Sequence, residues 1–155
     1  MKIISGGQTG VDRAALDAAL KCGIEIGGWC PKGRMAEDGA IPDKYTLQEL
    51  PSPSYKQRTL KNVIDSDGTA IIYFAYPSGG TEQTIAFCIK EKKPCVLIDA
   101  NELSIEEASE KIESFIDHHS IDLLNVAGPR ASSESKAYEY ALRSIVGVLQ
   151  KMKAK

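Results

Sequence analysis

Three short stretches of the chain set glycine beside hydroxyl and charged side chains at spacings that suit the capture of an anion. The first, Ser5-Gly6-Gly7-Gln8-Thr9-Gly10-Val11-Asp12-Arg13, follows an apolar strand entered at Lys2 and runs into an Ala-rich helix. Without a Cβ, Gly6, Gly7 and Gly10 let the backbone turn sharply and bring its N–H groups against a ligand. The helix that follows aims unpaired N–H groups and the positive end of its dipole at the same place. The spacing G-G-x-x-G is neither the dinucleotide fingerprint nor the P-loop, whose Lys-Ser/Thr pair is absent. Its plainer reading is a turn that packs a helix on a sheet. Asp12 repels a phosphate at that helix start but accepts from a sugar hydroxyl or a heterocycle N–H. It also stands at the third helical position of a capping box opened by Thr9.

The pattern returns twice. Tyr76-Pro77-Ser78-Gly79-Gly80-Thr81 follows a second apolar run, and Ala127-Gly128-Pro129-Arg130-Ala131-Ser132-Ser133 follows a third, adding an arginine and serines placed to cap a helix. Between the first of these loops and the second lies a segment at 31–43 that is too long, too polar and too rich in Gly and Pro for a bare connection. There Lys32 and Arg34 flank Gly33, which suits anion capture, and Glu37 and Asp38 supply acceptors. An ordinary surface loop is the competing reading of that segment.

Metal and thiol chemistry find less support. Cys22, Cys30, Cys88 and Cys95 contain no C-x-x-C pair, so a zinc ribbon or a thioredoxin-like motif is not expected. Cys22, Cys88 and Cys95 sit in apolar contexts and read as core thiols, while Cys30, between Trp29 and Pro31, stands apart. Of the two histidines, His119 extends the stripe of Ile105, Ala108, Ile112, Phe115 and Ile116 and reads as packed or partly exposed rather than metal-binding. No Ser-His-Asp or Cys-His arrangement and no acid–base pair of carboxylates is evident.

The elements that must position these loops follow from periodicity. A helix is expected over 10–21, with Val11, Ala15, Ala18 and Cys22 inward, Arg13, Asp17 and Lys21 outward as ion pairs, and Gly23 as its stop. A second strand covers 25–30, and a short extended piece lies within 45–50. Ser54-x-x-Gln57 caps a helix to about 65 with Leu60, Val63 and Ile64 inward. The run at 69–75 is apolar enough to be buried on both faces and is expected at the centre of the sheet. After it come a helix through Ile85, Ala86, Phe87 and Ile89, a strand at 95–98, a helix capped by Ser104-x-x-Glu107 and a strand at 123–126. A final helix presents Ala137, Ala141, Leu142, Ile145, Leu149 and Met152 inward. Strands alternating with helices give an α/β class: a Rossmann-like three-layer sandwich with a mainly parallel sheet of about five strands and helices on both faces. The three glycine loops then share the C-terminal edge of the sheet.

With 155 residues, 43% hydrophobic content and a formal charge of −2, the chain reads as one domain over 1–155. The charge gives no electrostatic case for nucleic acid or an acidic membrane, and the lysines near the end read as helix-dipole complements. No leader or membrane-spanning run precedes or interrupts the strands, which makes cytoplasm the expected location.

Taken together, 5–15, Gly28-Trp29-Cys30-Pro31-Lys32-Gly33-Arg34, Glu37-Asp38-Gly39, Ser78-Gly79-Gly80-Thr81 and Asn125-Val126-Ala127-Gly128-Pro129-Arg130 resemble the molybdenum carrier family over nearly the whole chain. That resemblance implies a non-catalytic protein that holds molybdenum cofactor, a pterin with a terminal phosphate and a dithiolene-bound molybdenum, and delivers it to molybdoenzymes. It implies a binding site of Gly6, Gly7, Gln8, Thr9, Gly10 and Asp12 from the first loop and Lys32, Gly33, Arg34, Glu37 and Asp38 from the long segment. Ser78, Gly79, Gly80 and Thr81, then Gly128, Pro129 and Arg130, complete it. No side chain is expected to bind the metal itself. The family is similar to the wider Rossmann-like group of cytokinin-activating phosphoribohydrolases, once called lysine-decarboxylase-like, which supplies the alternative: a nucleotide-binding protein or an enzyme acting on a nucleoside monophosphate. Those enzymes carry P-G-G-x-G-T-x-x-E with a catalytic glutamate. Here Pro77-Ser78-Gly79-Gly80-Thr81-Glu82-Gln83-Thr84 lacks the inner glycine and has no glutamate at the expected place, so a hydrolase would need Glu37, Asp38 or Glu82 instead. Related proteins pair through outer helices, and the run Ile145-Val146-Gly147-Val148-Leu149 makes a homo-oligomer, dimer or tetramer, the expected assembly.

Overall fold

A computed structural model describes residues 1–155. The chain opens with β1 (Lys2–Ile4), α1 (Val11–Lys21) and β2 (Glu25–Gly27). A small-stranded segment follows, with β3 (Trp29–Cys30), β4 (Met35–Ala36), β5 (Gly39–Ala40) and β6 (Gln48–Glu49). The remainder alternates α2 (Tyr55–Asp65), β7 (Gly68–Tyr73), α3 (Gly79–Lys90), β8 (Cys95–Asp99), α4 (Ile105–His119), β9 (Leu123–Ala127) and α5 (Ala137–Lys153).

Five strands form one parallel sheet in the order β2-β1-β9-β7-β8. Right-handed crossovers then dictate where the helices go. α1 and α4 connect strands in one direction along the sheet and share a face with α5, which packs between them, while α2 and α3 cover the other. The larger core, including Ile3, Leu16, Ile72, Ile98, Ile112, Leu124, Ile145 and Leu149, lies under α1, α4 and α5. Val63, Ile71, Phe87 and Cys88 make a smaller one under α2 and α3. Because α1 and α3 leave neighbouring parts of the sheet toward opposite faces, a crevice opens between them above the end of β9.

Several local expectations are corrected. The expected strand over 25–30 is broken at Gly28, whose φ of 119° and close approach to the Ser5 carbonyl, 2.2 Å from where a Cβ would stand, turn the chain off the sheet. β3 then pairs with β6 instead. The centre of the sheet is β9, not β7. Both are covered on two faces, so apolarity alone does not tell the central strand from its neighbour.

The outer face of α1 makes no ion pair along the helix. Arg13 reaches Asp38, at 2.6 Å, and the Gly7 carbonyl, while Asp17 accepts from the hydroxyls of Tyr45 and Tyr138. Partners from other segments outcompete a solvent-exposed pair one turn away. Thr9 opens no capping box, since the N-cap is Gly10 and has no side-chain bond, and Ser132 and Ser133 do not cap α5, whose N-cap is Lys136. On α2 the buried residues are Arg58, Asn62 and Val63, and Ile64 is exposed. Cys30 is fully buried in the larger core. His119 lies against Phe115 with the two rings tilted by 58° and is exposed to solvent. Ile145, Val148 and Leu149 are buried within the chain, leaving Val146 and Gly147 of that run half-buried.

Candidate functional site

The crevice is a cleft of about 610 Å³ whose rim and floor are polar. Three loops enclose it: Gly6 to Gln8 after β1, Phe74 to Thr81 after β7, and Gly128 to Glu134 after β9. Asn125 of β9 and Asp12 of α1 contribute to its floor, and Arg58, Thr59 and Asn62 of α2 close one side.

The element best suited to an anion is the start of α3. Ser78 is its N-cap but forms no side-chain cap bond, and the first-turn N–H groups of Gly79 and Gly80 have no intrahelical acceptor. Gly79 adopts a φ of 55°, which favours glycine, and a Cβ on either Gly79 or Gly80 would meet nothing within 4 Å. The helix therefore presents bare N–H groups and the positive end of its dipole to open space in the cleft. Arg130 stands in the lining from the third loop, its guanidinium 5.6 Å from the centre of the Tyr55 ring.

The floor has a different chemistry. Asp12 is only 8% exposed, and burial raises its carboxyl to about 6 against the opposing pull of Arg58 and of the Gln8 and Gly6 backbone N–H groups. Arg58, itself buried, donates to the Gly6 carbonyl at 3.0 Å and lies 3.7 Å from the Asp12 carboxylate. Gly6 must be glycine for this arrangement, because a Cβ there would stand 2.2 Å from an Arg58 nitrogen. Gln8 uses its side-chain oxygen to accept from the N–H groups of Thr9 and Glu37, which leaves its buried Nε2 without a partner. Such an orphaned donor in the lining of the cleft is a feature that a ligand can satisfy.

The rest of the first loop is structural. A Cβ on Gly10 would lie 2.4 Å from the Pro129 carbonyl, which accepts from Val11 N–H at 3.2 Å. Gly7, with a φ of 74°, faces Leu47 and Ile41 rather than the cleft. Thr9 donates to Glu37 and accepts from Ala131 N–H at 3.1 Å, and Glu37 accepts from both the N–H and the hydroxyl of Ser132. The Ser132 and Thr9 hydroxyls hold the Glu37 carboxyl below its usual range, and the Arg13 guanidinium does the same for Asp38. The turn between β4 and β5 thus staples the first loop to the third from outside.

Of the residues singled out in the sequence, the cleft brings together Gly6, Gln8, Asp12, Ser78, Gly79, Gly80, Thr81, Gly128, Pro129 and Arg130. Gly7, Thr9, Gly10, Glu37 and Asp38 form the brace behind it, and Lys32, Gly33 and Arg34 lie outside its lining. Arg34, at a φ of 55°, spends its guanidinium on the carbonyls of Ile41, Pro42, Leu47 and Tyr45, and Gly33 N–H donates to Glu49. Glu82 is exposed and likewise outside the lining. Sequence reasoning missed Arg58, Asn62 and Asn125. Their signal was a polar pair one turn apart on α2 and a single amide inside an apolar strand. No group of three or more His, Cys, Asp or Glu side chains converges to hold a metal ion.

A family described as "Circularly permutated YpsA SLOG family" matches residues 3–149. No curated protein matches the chain. A crystal structure from Syntrophus aciditrophicus SB, named "Putative molybdenum carrier protein", is 50% identical in sequence and superposes with a TM-score of 0.92, covering 96% of this chain and 93% of its own.

Proposed function

The chain belongs to the circularly permutated YpsA SLOG family, and from that membership we propose that it is a carrier whose cleft holds a phosphorylated, pterin-type ligand, molybdenum cofactor. The name of its 50% identical relative points to molybdenum, and the polar lining of the cleft supports the reading. The observation that carries the reading is the start of α3, where Ser78, Gly79 and Gly80 offer a phosphate bare N–H groups and a hydroxyl. Arg130 adds a cation that can grip an oxyanion with two parallel bonds. On the floor, Asp12 and Asn125 accept from heterocycle N–H groups, and Gln8 Nε2 donates to a ring carbonyl or ring nitrogen.

No protein thiolate is needed for the metal, whose redox chemistry belongs to the ligand and is exercised in the recipient molybdoenzyme. The role of these residues is to bind, orient and release. Glu37 and Asp38 are committed to the brace and Glu82 lies outside the lining, so the carboxylates a phosphoribohydrolase would recruit are turned to other work. Asp12 and Glu134 are the carboxylates that do line the cleft. A nucleoside monophosphate fits the same phosphate site and is the competing ligand.

Calorimetric titration with inorganic pyrophosphate tests the phosphate site. Arg130→Ala is expected to weaken binding roughly tenfold to a hundredfold, the loss of a hydrogen bond to a charged group. Lys32→Ala, outside the lining, is expected to bind like the parent. Equal affinity of Arg130→Ala and the parent removes the assignment.

A further inference from the structure

Between the end of β7 and the start of α3 the cleft has an aromatic edge that the phosphate site does not use. β7 ends at Tyr73, whose carbonyl accepts from Ala100 N–H at 2.8 Å. The chain then turns within three residues, Phe74-Ala75-Tyr76, closed by Tyr76 N–H donating to the Phe74 carbonyl at 2.9 Å. Ala75, at the centre, has a φ of 72°. A bond from residue i+2 back to residue i around a positive φ is the rare, strained hand of the γ-turn, and alanine lacks the freedom that glycine would have there. Such strain persists only where neighbours over-determine it. They do so on both flanks. The Asp99 carboxylate at the end of β8 accepts from Ala75 N–H at 3.1 Å and from Asn101 N–H at 2.9 Å. Phe74 meets Tyr140 of α5 edge-on, with ring centres 5.8 Å apart, and the Tyr140 hydroxyl donates to the Leu103 carbonyl at 2.9 Å. What this braced turn holds out is Tyr76, which lines the cleft and is 73% exposed.

We propose that Tyr76 is the specificity-determining face of the cleft, on which a flat heterocycle of the ligand stacks. The inference rests on the phosphate site at the start of α3, because the two are joined by one residue. Pro77 fixes its own φ, and two residues of chain put the Cα atoms of Tyr76 and Ser78 at most about 7 Å apart. A phosphate on the Gly79 and Gly80 N–H groups and a ring on Tyr76 are then two ends of one small molecule. The ligand class is a phosphorylated heterocycle, in preference to an inorganic anion or a bare sugar phosphate. Ser78, Gly79, Gly80 and Thr81, which follow Tyr76 in the lining, make no apolar patch of the kind that a protein partner covers. Stacking accepts any π face. Tyr76 thus selects for a flat ring and leaves the choice among rings to Asp12, Asn125 and Gln8 on the floor.

Calorimetric titration of the full chain with AMP and with neopterin monophosphate, each set against ribose phosphate, reads the contribution of the ring. Pyrophosphate, which has no ring, reads the phosphate site alone. In the parent and in Tyr76→Phe the ring-bearing probes are expected to bind more tightly than ribose phosphate. In Tyr76→Ala, with thermal unfolding as the check on its fold, they are expected to bind about fivefold to a hundredfold more weakly than in the parent, the loss of one stacked aromatic face. Pyrophosphate affinity is expected to stay within twofold. A parent in which neither ring adds affinity over ribose phosphate overturns the proposal, and so does a ring advantage that survives in Tyr76→Ala. A parent that binds no pyrophosphate removes the phosphate site instead, and the ring is then read with adenosine and neopterin. Their binding must still weaken in Tyr76→Ala, and failure of both to bind the parent overturns the proposal as well.

Discussion

Gly80→Ala separates the binding role of the α3 start from its structural role. Gly80 lies in the first turn of α3, it has no positive φ, and a Cβ built on it meets nothing within 4 Å. Alanine is the better helix former, by up to about 1 kcal/mol in a helix interior and less in a first turn. The variant should therefore fold at least as stably as the parent, with an unchanged or slightly higher melting temperature. The same methyl group projects into the space where an anion must sit to reach the Gly79 and Gly80 N–H groups. Forcing the anion off one such bond forfeits about 1.5–3 kcal/mol, which is roughly a tenfold to hundredfold loss of affinity. Thermal unfolding and pyrophosphate titration on the same preparation read both quantities. A stable variant with parental affinity would show that the anion does not approach α3.

Gly10→Ala should behave in the opposite way. A left-handed alanine and a Cβ placed 2.4 Å from the Pro129 carbonyl together cost about 3 kcal/mol or more, near 10 °C of melting temperature, as calorimetry would show. Asp12 makes stability fall as pH rises. Its folded pKa, about 6, lies above the ordinary 3.8, so the folded chain holds the proton more tightly and this stabilisation, at most about 3 kcal/mol, is lost between about pH 4 and 6. Denaturant titrations of the parent and Asp12→Asn across that window should show the slope in the parent alone. Glu37 has the reverse sign: its lowered pKa gives stability above the ordinary 4.5 that is lost as pH falls. Glu37→Gln should flatten the acid limb of melting temperature against pH and raise hydrogen exchange at Ala131 and Ser132.

The order of elements was legible because local signals repeat it. The reciprocal Ser104 and Glu107 bonds that start α4, and the apolar run of β7, are written in adjacent residues. Sheet order was less legible, since β9 crosses to the centre from the far edge and nothing in Leu123–Ala127 marks that journey except Asn125, a polar residue kept where the cleft needs it. The glycine loops were readable as a class, but sequence could not divide Gly80, which faces open space, from Gly10, which faces a backbone carbonyl. Charge was the least transferable signal. Lys32 and Arg34 looked like anion ligands by proximity to Gly33, yet the left-handed backbone at Arg34 turns its guanidinium onto four carbonyls of its own loop. Arg58, which sits on the helix face facing the sheet, reaches the first loop from inside the cleft.

The most direct test of the carrier reading is an anaerobic equilibrium titration of the purified protein with molybdenum cofactor, run beside AMP at matched ionic strength and repeated with Arg130→Ala. Tighter binding of the cofactor than of AMP, weakened in the variant, is the predicted result. Preference for AMP, or its cleavage to free base and ribose phosphate, would contradict the account and move the chain to nucleotide binding or hydrolysis.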